Sequence, residues 1–236
     1  MTRFTHQQFT DFCKTIDLQY YRERYSKIKI VEMDLPPSIH ALDTIYENYW
    51  DNANDLDFPP SYEEYYDIYY NRHKAKIKEF WKITGFGLDC DCFKNGLEAR
   101  IYRTWASLIT QIHAGYVAES VFGIGNIEMS TKLDHEGIDI LVHYKDIDIK
   151  IQVKKDTARR EIARMDRASK GDIIDIYYVV PSDYDIPYYS IKSKQGQLRP
   201  WANEFVKFNP DGTMDRLDNG FVIFVKKVFE DIIQAD

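Results

Sequence analysis

Residues 147–154 alternate strictly between apolar and polar side chains, and this alternation constrains the fold more than any other part of the sequence. The apolar positions hold Ile or Val, and the positions between them hold Asp, Lys, Gln and Lys. A period of two is that of a β-strand with one buried and one polar face. A similar run at 138–144 precedes it, separated only by Lys145 and Asp146. The pattern therefore predicts a β-hairpin with a polar face free for chemistry.

Helical patterns surround this hairpin. Apolar spacing and Pro breaks predict helices over residues 3–26, about 39–51, Tyr62 towards Trp81, 96 to about 120, about 157–169 and near 228–234. Further strand-like runs follow at 173–180 and 221–225. Helices followed by a small mixed sheet flanked by helices indicate an α/β fold. We expect a helical N-terminal region (1–95) and a core (96–236), or a single domain overall.

The charge of the chain is unevenly distributed. The net charge is −7, but residues 1–70 carry 6 Lys/Arg and 13 Asp/Glu and so account for the whole deficit. Residues 150–170 instead hold eight basic and three acidic side chains. Because affinity for phosphate depends on local basic surface, an acidic chain of this kind is not excluded as a nucleic-acid binder. A solvated helix face remains the alternative for the basic stretch.

Several classes are disfavoured by composition. No apolar run approaches the roughly 20 residues of a membrane span, and the first residues lack the apolar core of a signal peptide. Three cysteines form no disulfide framework, and no second pair accompanies Cys90 and Cys92 at zinc-finger spacing. We expect a soluble cytoplasmic protein.

Three residues of the hairpin suggest a hydrolytic site. Asp139 lies on the first strand, and Gln152 and Lys154 lie on the polar face of the second. Hydrolysis of a phosphodiester needs a divalent cation with oxygen ligands and a positive charge near the transition state. Asp139, Gln152 and the backbone carbonyl of Val153 are the candidate Mg²⁺ ligands, and Lys154 is the candidate cation. This is the pattern of the PD-(D/E)-x-K nucleases, with Gln152 in the position of the second acid.

Basic residues follow the hairpin directly. Arg160, Arg164 and Arg167 recur at helical spacing and form one stripe suited to phosphate or guanine contacts. The candidate DNA-binding residues are Lys155, Arg159, Arg160, Arg164, Arg167, Lys192 and Lys194.

The chain resembles the TaqI family of type II restriction endonucleases. The similarity lies in five ordered blocks: residues 25–36, 96–104, 137–140, 151–156 and 219–224. The resemblance implies a restriction-endonuclease-like core and a homodimer that uses Mg²⁺ to cut both strands of a short palindrome. For the best-known members the palindrome is TCGA, cut after T to leave a two-base 5′ overhang. It also implies a restriction-modification system, with a DNA methyltransferase as a functional partner.

The resemblance assigns roles to individual residues. Asp139 matches the metal-binding acid of the family, Gln152 its unusual glutamine and Lys154 its lysine. Asp134 lies where the family has an upstream acid, and Glu98 lies in a shared Leu-Glu-Ala-Arg block. Both are therefore further candidate catalytic carboxylates, and Glu119 is the alternative helix-borne acid.

The sequence departs from the pattern at two places. Ile138 stands where the superfamily name has proline, and residues 185–215 match no part of the family that we can place. The recognition sequence therefore stays open at this stage. A repair or junction-resolving nuclease, or a catalytically silent DNA-binding protein of the same fold, are the alternative functions.

Overall fold

The structure, a computed structural model, describes residues 3–25, 27–28, 35–84, 89–156, 173–179 and 212–234. The chain divides into two compact units. Unit 1 comprises Met1–Phe4 and Asp17–Ile109, and unit 2 comprises Thr5–Ile16 and Thr110–Asp236. Unit 2 is therefore built from two separate stretches of the chain.

The described elements follow one another as helices first and then mostly strands. In chain order they are α1 (His6–Thr15), α2 (Leu18–Tyr25), a 3₁₀ turn (Pro37–Ile39), α3 (Leu42–Ile45), a π-helical turn (Tyr46–Trp50), α4 (Tyr62–Thr84), α5 (Cys90–Phe122), β1 (Ile127–Glu128), α6 (Thr131–His135), β2 (Ile140–Tyr144), β3 (Ile147–Asp156), β4 (Ile173–Val179), β5 (Met214–Arg216), β6 (Val222–Phe224) and α7 (Lys227–Gln234). No helix of the described part is long and apolar enough to cross a membrane.

The first predicted helix, 3–26, is divided in two. Ile16 leaves the helical conformation with ψ 114°, and α1 ends there. The Asp17 carboxylate then accepts a hydrogen bond from the Tyr20 backbone N–H at 2.9 Å, which caps the start of α2. The second predicted helix, about 39–51, is confirmed over residues 42–50, where α3 continues into the π-helical turn, and a 3₁₀ turn precedes it. Local capping therefore overrides the apolar spacing at Ile16 in the first region.

The interior of unit 1 is aromatic. Tyr21, Tyr62, Tyr102 and Trp105 lie with ring centroids 4.8–6.3 Å apart. The tyrosines of α4 belong to the same interior, since its Tyr62, Tyr65 and Tyr69 are buried. Unit 1 is thus stabilised by edge and tilted ring contacts, which add to the burial of apolar area.

Unit 2 contains a four-stranded mixed sheet in the order β1-β2-β3-β4. The predicted hairpin is confirmed: β2 and β3 pair antiparallel, with Ile140 opposite Ile151 and Tyr144 opposite Ile147. Strand β4 then pairs parallel to β3, with Gln152 opposite Asp175. The apolar face of β3 is buried at Ile149, Ile151 and Val153, as the alternation predicts. A separate two-stranded sheet joins β5 and β6.

Helix α1 is joined to the late part of the chain within unit 2. Nδ2 of Asn219 lies 2.7, 3.2 and 2.9 Å from the carbonyl oxygens of Cys13, Lys14 and Ile16, respectively. Cys13 and Lys14 lie in the last turn of α1 and Ile16 follows it, so the two N–H groups of the Asn219 amide are shared among carbonyls at the end of the helix. His113 is fully buried, and its ring lies 3.1 Å from the Thr10 hydroxyl.

Candidate active site

The candidate site lies on the polar face of the four-stranded sheet. Strand β3 buries Ile151 and Val153 and directs Gln152 and Lys154 to the opposite face. The parallel register of β4 places Asp175 beside Gln152 and Tyr177 beside Lys154. In parallel neighbours, registered residues share a face, so two strands present four polar side chains together.

Asp139 is fixed to this face by the backbone of β3. Its side chain is buried, with 5% of the residue exposed. Oδ2 accepts a hydrogen bond from the Val153 backbone N–H at 2.6 Å, and the Asp139 N–H donates to the carbonyl of Ile151 at 3.0 Å. Just before β2 begins, the Asp139 carboxylate thus accepts the hydrogen bond of a β3 backbone N–H that a neighbouring strand would otherwise accept. Asp139 and the residues of the lysine motif are brought together as the sequence predicts.

A tight turn delivers Asp139 to this position. Helix α6 ends in a turn in which the Ile138 N–H donates to the carbonyl of Leu133 at 2.9 Å. Gly137 completes the turn with φ +81°, a left-handed conformation that glycine adopts without steric cost. The turn makes the polypeptide reverse between Asp134 on α6 and Asp139 beside β3.

The charge state of Asp139 depends on its surroundings. Burial raises the pKa of its carboxyl group to about 7. The Val153 N–H opposes this rise, Asp134 adds to it, Lys154 opposes it and Asp175 adds to it, in decreasing order of effect. A buried carboxyl with a pKa near neutrality gains much from a bound cation, because the cation favours the ionised form.

Lys154 is held by an acid on the neighbouring strand. Its Nζ donates to Oδ2 of Asp175 at 2.5 Å, and the Tyr177 hydroxyl donates to the same oxygen at 3.1 Å. The side chains of Lys154 and Asp175 are 31% and 24% exposed. The pair is thus partly shielded from water and open on one side.

The oxygen donors of this site fit a hard divalent cation that takes its remaining ligands from other groups. Asp139 offers a carboxylate, Gln152 an amide oxygen and Val153 a carbonyl, all oxygen ligands of the kind Mg²⁺ prefers. Among the described residues, no group of three or more His, Cys, Asp or Glu side chains is arranged to hold a metal ion. The set is therefore poor in charge, as expected from a glutamine in the second position.

The upstream candidate acids lie in different units. Asp134, on α6 of unit 2, raises the pKa of Asp139 through its charge. Glu98 belongs to unit 1, where its Oε1 accepts hydrogen bonds from Arg24 at 2.8 Å and from the Tyr25 hydroxyl at 2.5 Å. Glu119, in unit 2, is buried near the end of α5. Asp134 is thus the candidate with a described electrostatic link to Asp139.

Most predicted DNA contacts fall outside the described ranges. Lys155 is the described one, and it lies half-buried on β3. The remaining predicted DNA-binding residues are outside the described part of the chain: Arg159, Arg160, Arg164, Arg167, Lys192 and Lys194. Their assignment stays a prediction from sequence.

Asp175 and Tyr177 were not among the candidates from sequence. The sequence predicts only a strand-like run at 173–180, which the structure confirms as β4 (Ile173–Val179). One signal was available, because Asp175 is the one charged residue between Ile173 and Val179. A charge inside an otherwise apolar, aromatic strand is unusual and indicates a partner on that face.

Comparison with known proteins places this chain in a family. The chain matches the TaqI restriction endonuclease family over residues 6–235. It is 31% identical to a type II restriction enzyme of Thermus thermophilus over 233 residues, which cover 96% of this chain and 86% of the relative. It is 33% identical to the type II restriction enzyme TaqI of Thermus aquaticus over 224 residues, which cover 92% of this chain and 82% of the relative. No solved structure matches the chain significantly.

The family match and these relatives define the class as restriction endonucleases, which are site-specific deoxyribonucleases. Within this class the chain belongs to the TaqI restriction endonuclease family. The resemblance seen in the five sequence blocks is thereby confirmed.

Proposed function

We propose that this protein is a Mg²⁺-dependent type II restriction endonuclease that hydrolyses both strands of double-stranded DNA at a short palindrome. The observation that carries the proposal is the hydrogen bond of 2.6 Å from the Val153 N–H to the Asp139 carboxylate. It fixes the buried acid beside Gln152 and Lys154, the other two residues of the nuclease pattern. The core from residue 96 to 236 is on this proposal restriction-endonuclease-like, with residues 1–95 as a helical N-terminal region.

Each residue of the site has a proposed role. Asp139, Gln152 and the Val153 carbonyl would hold a Mg²⁺ ion, which would supply Lewis-acid chemistry at the scissile phosphate. The Val153 N–H keeps the Asp139 carboxylate in one orientation. The Lys154 ammonium lies where it can stabilise the negative charge that develops on the phosphate oxygens. Asp134 assists through its charge, and Glu98 and Glu119 are the less supported alternatives.

The glutamine makes metal binding dependent on DNA. Gln152 contributes an oxygen but no charge, so Asp139 and its neighbours hold Mg²⁺ weakly on their own. A DNA phosphate adds both oxygen ligands and negative charge to the same shell. We therefore propose that Mg²⁺ binds tightly only in the complex with DNA.

The proposed target is TCGA, cut after T to leave a two-base 5′ overhang. A palindrome presents the same contacts twice about a two-fold axis, so a C2 homodimer is the matching assembly. The working partner in the cell is a DNA methyltransferase that protects the same sequence, and the cytoplasm is where both meet the host DNA.

A plasmid digest tests the proposal. Plasmid DNA of known sequence is incubated with the protein and Mg²⁺, and the ends of the fragments are sequenced. Discrete fragments with ends at TCGA are expected, and they are expected to vanish in Asp139→Ala and Lys154→Ala. Cleavage at another sequence refutes the specificity alone. Cleavage confined to branched DNA, or binding without cleavage under any divalent metal, refutes the restriction activity.

The DNA-binding residues are tested separately by salt dependence. Lys155, Arg159, Arg160, Arg164, Arg167, Lys192 and Lys194 are changed to Ala one at a time. A residue that contacts phosphate lowers the slope of log affinity against log salt by about 1, whereas one that reads a base relaxes specificity at one position. A variant with neither effect is removed from the proposed interface.

A further inference from the structure

We propose that Asp175 is a positioning residue of the active site, which holds the ammonium group of Lys154 in place for the reaction. The inference rests on the proposed nuclease function and extends it to a residue outside the acid–glutamine–lysine pattern. It is carried by the contact of 2.5 Å between Nζ of Lys154 and Oδ2 of Asp175.

The pairing of β3 and β4 fixes the position of Asp175. Strands β3 and β4 pair in parallel over seven residue pairs, from Lys150 with Ile173 to Asp156 with Val179. Within this ladder Asp175 is registered with Gln152, two residues before the level of Lys154. The lysine side chain leans back along the strand to reach it, and the main-chain hydrogen bonds of the sheet keep the two strands in this register.

A second donor restrains the carboxylate. The Tyr177 hydroxyl lies 3.1 Å from the same Oδ2 atom and is registered with Lys154 on β4. Two donors on one oxygen limit the rotation of the Asp175 carboxylate. Because the two side chains of the ion pair are only 31% and 24% exposed, water screens the pair less than it screens a surface pair.

Asp175 places a negative charge beside the neutral Gln152. In the nuclease pattern the residue two before the lysine is an acid, and here it is the neutral Gln152. Asp175 carries a negative charge at the same level of the sheet, one strand away. The lysine therefore has a fixed anionic partner although its own strand offers a neutral amide at that position.

Restraint of the lysine has a direct catalytic consequence. A lysine side chain has several rotatable bonds and loses side-chain entropy when it is ordered. The ion pair orders it before DNA arrives, so this cost is not added to the activation barrier. Loss of Asp175 is thus expected to slow the chemical step and to leave DNA binding unchanged.

The main test compares two Asp→Asn variants. Asp175→Asn keeps the shape of the side chain and removes its charge, and Asp146→Asn is the matched control in the exposed hairpin turn. Single-turnover cleavage with Mg²⁺ is expected to fall about 10- to 100-fold in Asp175→Asn, the usual effect of losing a partner that orients an active-site residue. The dissociation constant for DNA, measured with Ca²⁺ in place of Mg²⁺, is expected to change less than about twofold, and the control to behave as wild type.

A double-mutant cycle shows whether Asp175 acts through Lys154. Lys154→Ala is expected to leave no discrete fragments in a standard digest, so its residual single-turnover rate is followed over long times with a large excess of enzyme. In this background Asp175→Asn is expected to cost less than about threefold, because the group it positions is already absent. Equal losses in both backgrounds would overturn the inference. If Asp175→Asn does not fold, Tyr177→Phe replaces it, with an expected loss of about threefold to tenfold for one hydrogen bond.

A third measurement needs neither DNA nor metal. Acetylation of Lys154 by an amine-reactive reagent is followed by peptide mass spectrometry in the free protein. The rate is expected to rise at least about threefold in Asp175→Asn, as for the loss of one charged contact, and to stay unchanged in Asp146→Asn. An unchanged acetylation rate of Lys154 in Asp175→Asn would contradict the proposed ion pair.

The outcomes separate the inference from the proposed function. A protein that cuts no DNA but shows the expected labelling refutes the proposed function and leaves the ion pair standing. A protein that cuts DNA with an unaffected Asp175→Asn variant refutes the inference alone.

Discussion

The Asp139 carboxylate accepts a hydrogen bond of 2.6 Å from the backbone N–H of Val153, fourteen residues further along the chain. This bond connects the candidate metal-binding acid to the strand that carries Gln152 and Lys154. A side-chain–main-chain bond of this kind depends on the fold of the hairpin and not on a third side chain. The same burial that fixes the acid also raises the pKa of its carboxyl group, which gives the free protein a measurable property.

The stability of the metal-free protein is expected to fall as the pH rises from about 4 to about 7. The pKa of Asp139 is about 7 in the folded chain, against 3.8 for the ordinary carboxyl. Between these values the folded state retains a proton that the unfolded state has lost, so raising the pH favours unfolding until the folded group ionises. At pH 8 we expect Asp139→Asn to raise the free energy of unfolding by about 2–4 kcal/mol relative to wild type.

Urea unfolding of the metal-free protein at pH 4, 6 and 8 measures this effect. The gain of Asp139→Asn over wild type is expected to be small at pH 4 and largest at pH 8. Asp146→Asn, in the exposed turn, is the control and is expected to follow wild type at every pH. A gain that does not depend on pH would show that the folded carboxyl titrates in its ordinary range.

Gln152→Glu is expected to strengthen Mg²⁺ binding by the free protein. The change adds a full negative charge to a site whose ligands are charge-poor, and an added carboxylate within reach of the ion gains about tenfold to a hundredfold in affinity. Isothermal titration measures it, with wild type expected to show no micromolar binding. Gln234→Glu adds the same charge at an exposed position of α7 and is expected to have no effect. Tight binding by wild type would contradict the proposed dependence on DNA.

Gly137→Ala is expected to slow cleavage as well as to destabilise the fold. Gly137 has φ +81°, and Gly125 has φ +88°, so an alanine at either position meets a backbone cost of about 1–2 kcal/mol. Gly137 lies two residues before Asp139, so its substitution can move the acid. Gly125→Ala is the control, because an alanine Cβ at that position meets no atom within 4 Å. Thermal unfolding and single-turnover cleavage are compared in both variants. Equal cleavage rates would show that the turn does not control the position of Asp139.

Asn219→Ala is expected to lower the free energy of unfolding by about 2 kcal/mol. The substitution removes the amide that serves three carbonyls at the end of α1, and leaves these carbonyls without that partner. Chemical denaturation measures the loss, with the exposed neighbour Asp218→Ala as the control. An equal effect in both variants would assign the loss to the turn around residue 219 and not to α1.

The sequence predicted those parts of the site that depend on a local period. The alternation of residues 147–154 determined which side chains share a face, and the short turn at 145–146 determined the pairing of β2 with β3. Asp139, Gln152 and Lys154 follow directly from these two facts. Asp175 could not be placed in this way. Its partner on β3 depends on the parallel register of β3 and β4, which are separated in the sequence by residues 157–172.

Capping and long-range contacts explain the other differences. The apolar spacing of residues 3–26 is continuous, but hydrogen bonds from Asn219 and to Asp17 end one helix and begin another at Ile16. Glu98 was selected from its place in a shared block, and its carboxylate pairs with Arg24, 74 positions earlier in the chain. Contacts at such separations have no local signal in a single sequence.

The bond from Asn219 to the end of α1 has a consequence for biosynthesis. During synthesis α1 precedes Asn219, which follows Cys13 by 206 residues. The stretch Thr5–Ile16 can therefore make these contacts only after Asn219 has been added to the chain. We expect unit 2, which contains Asp139 and Lys154, to complete its folding late in the synthesis of the described part of the chain.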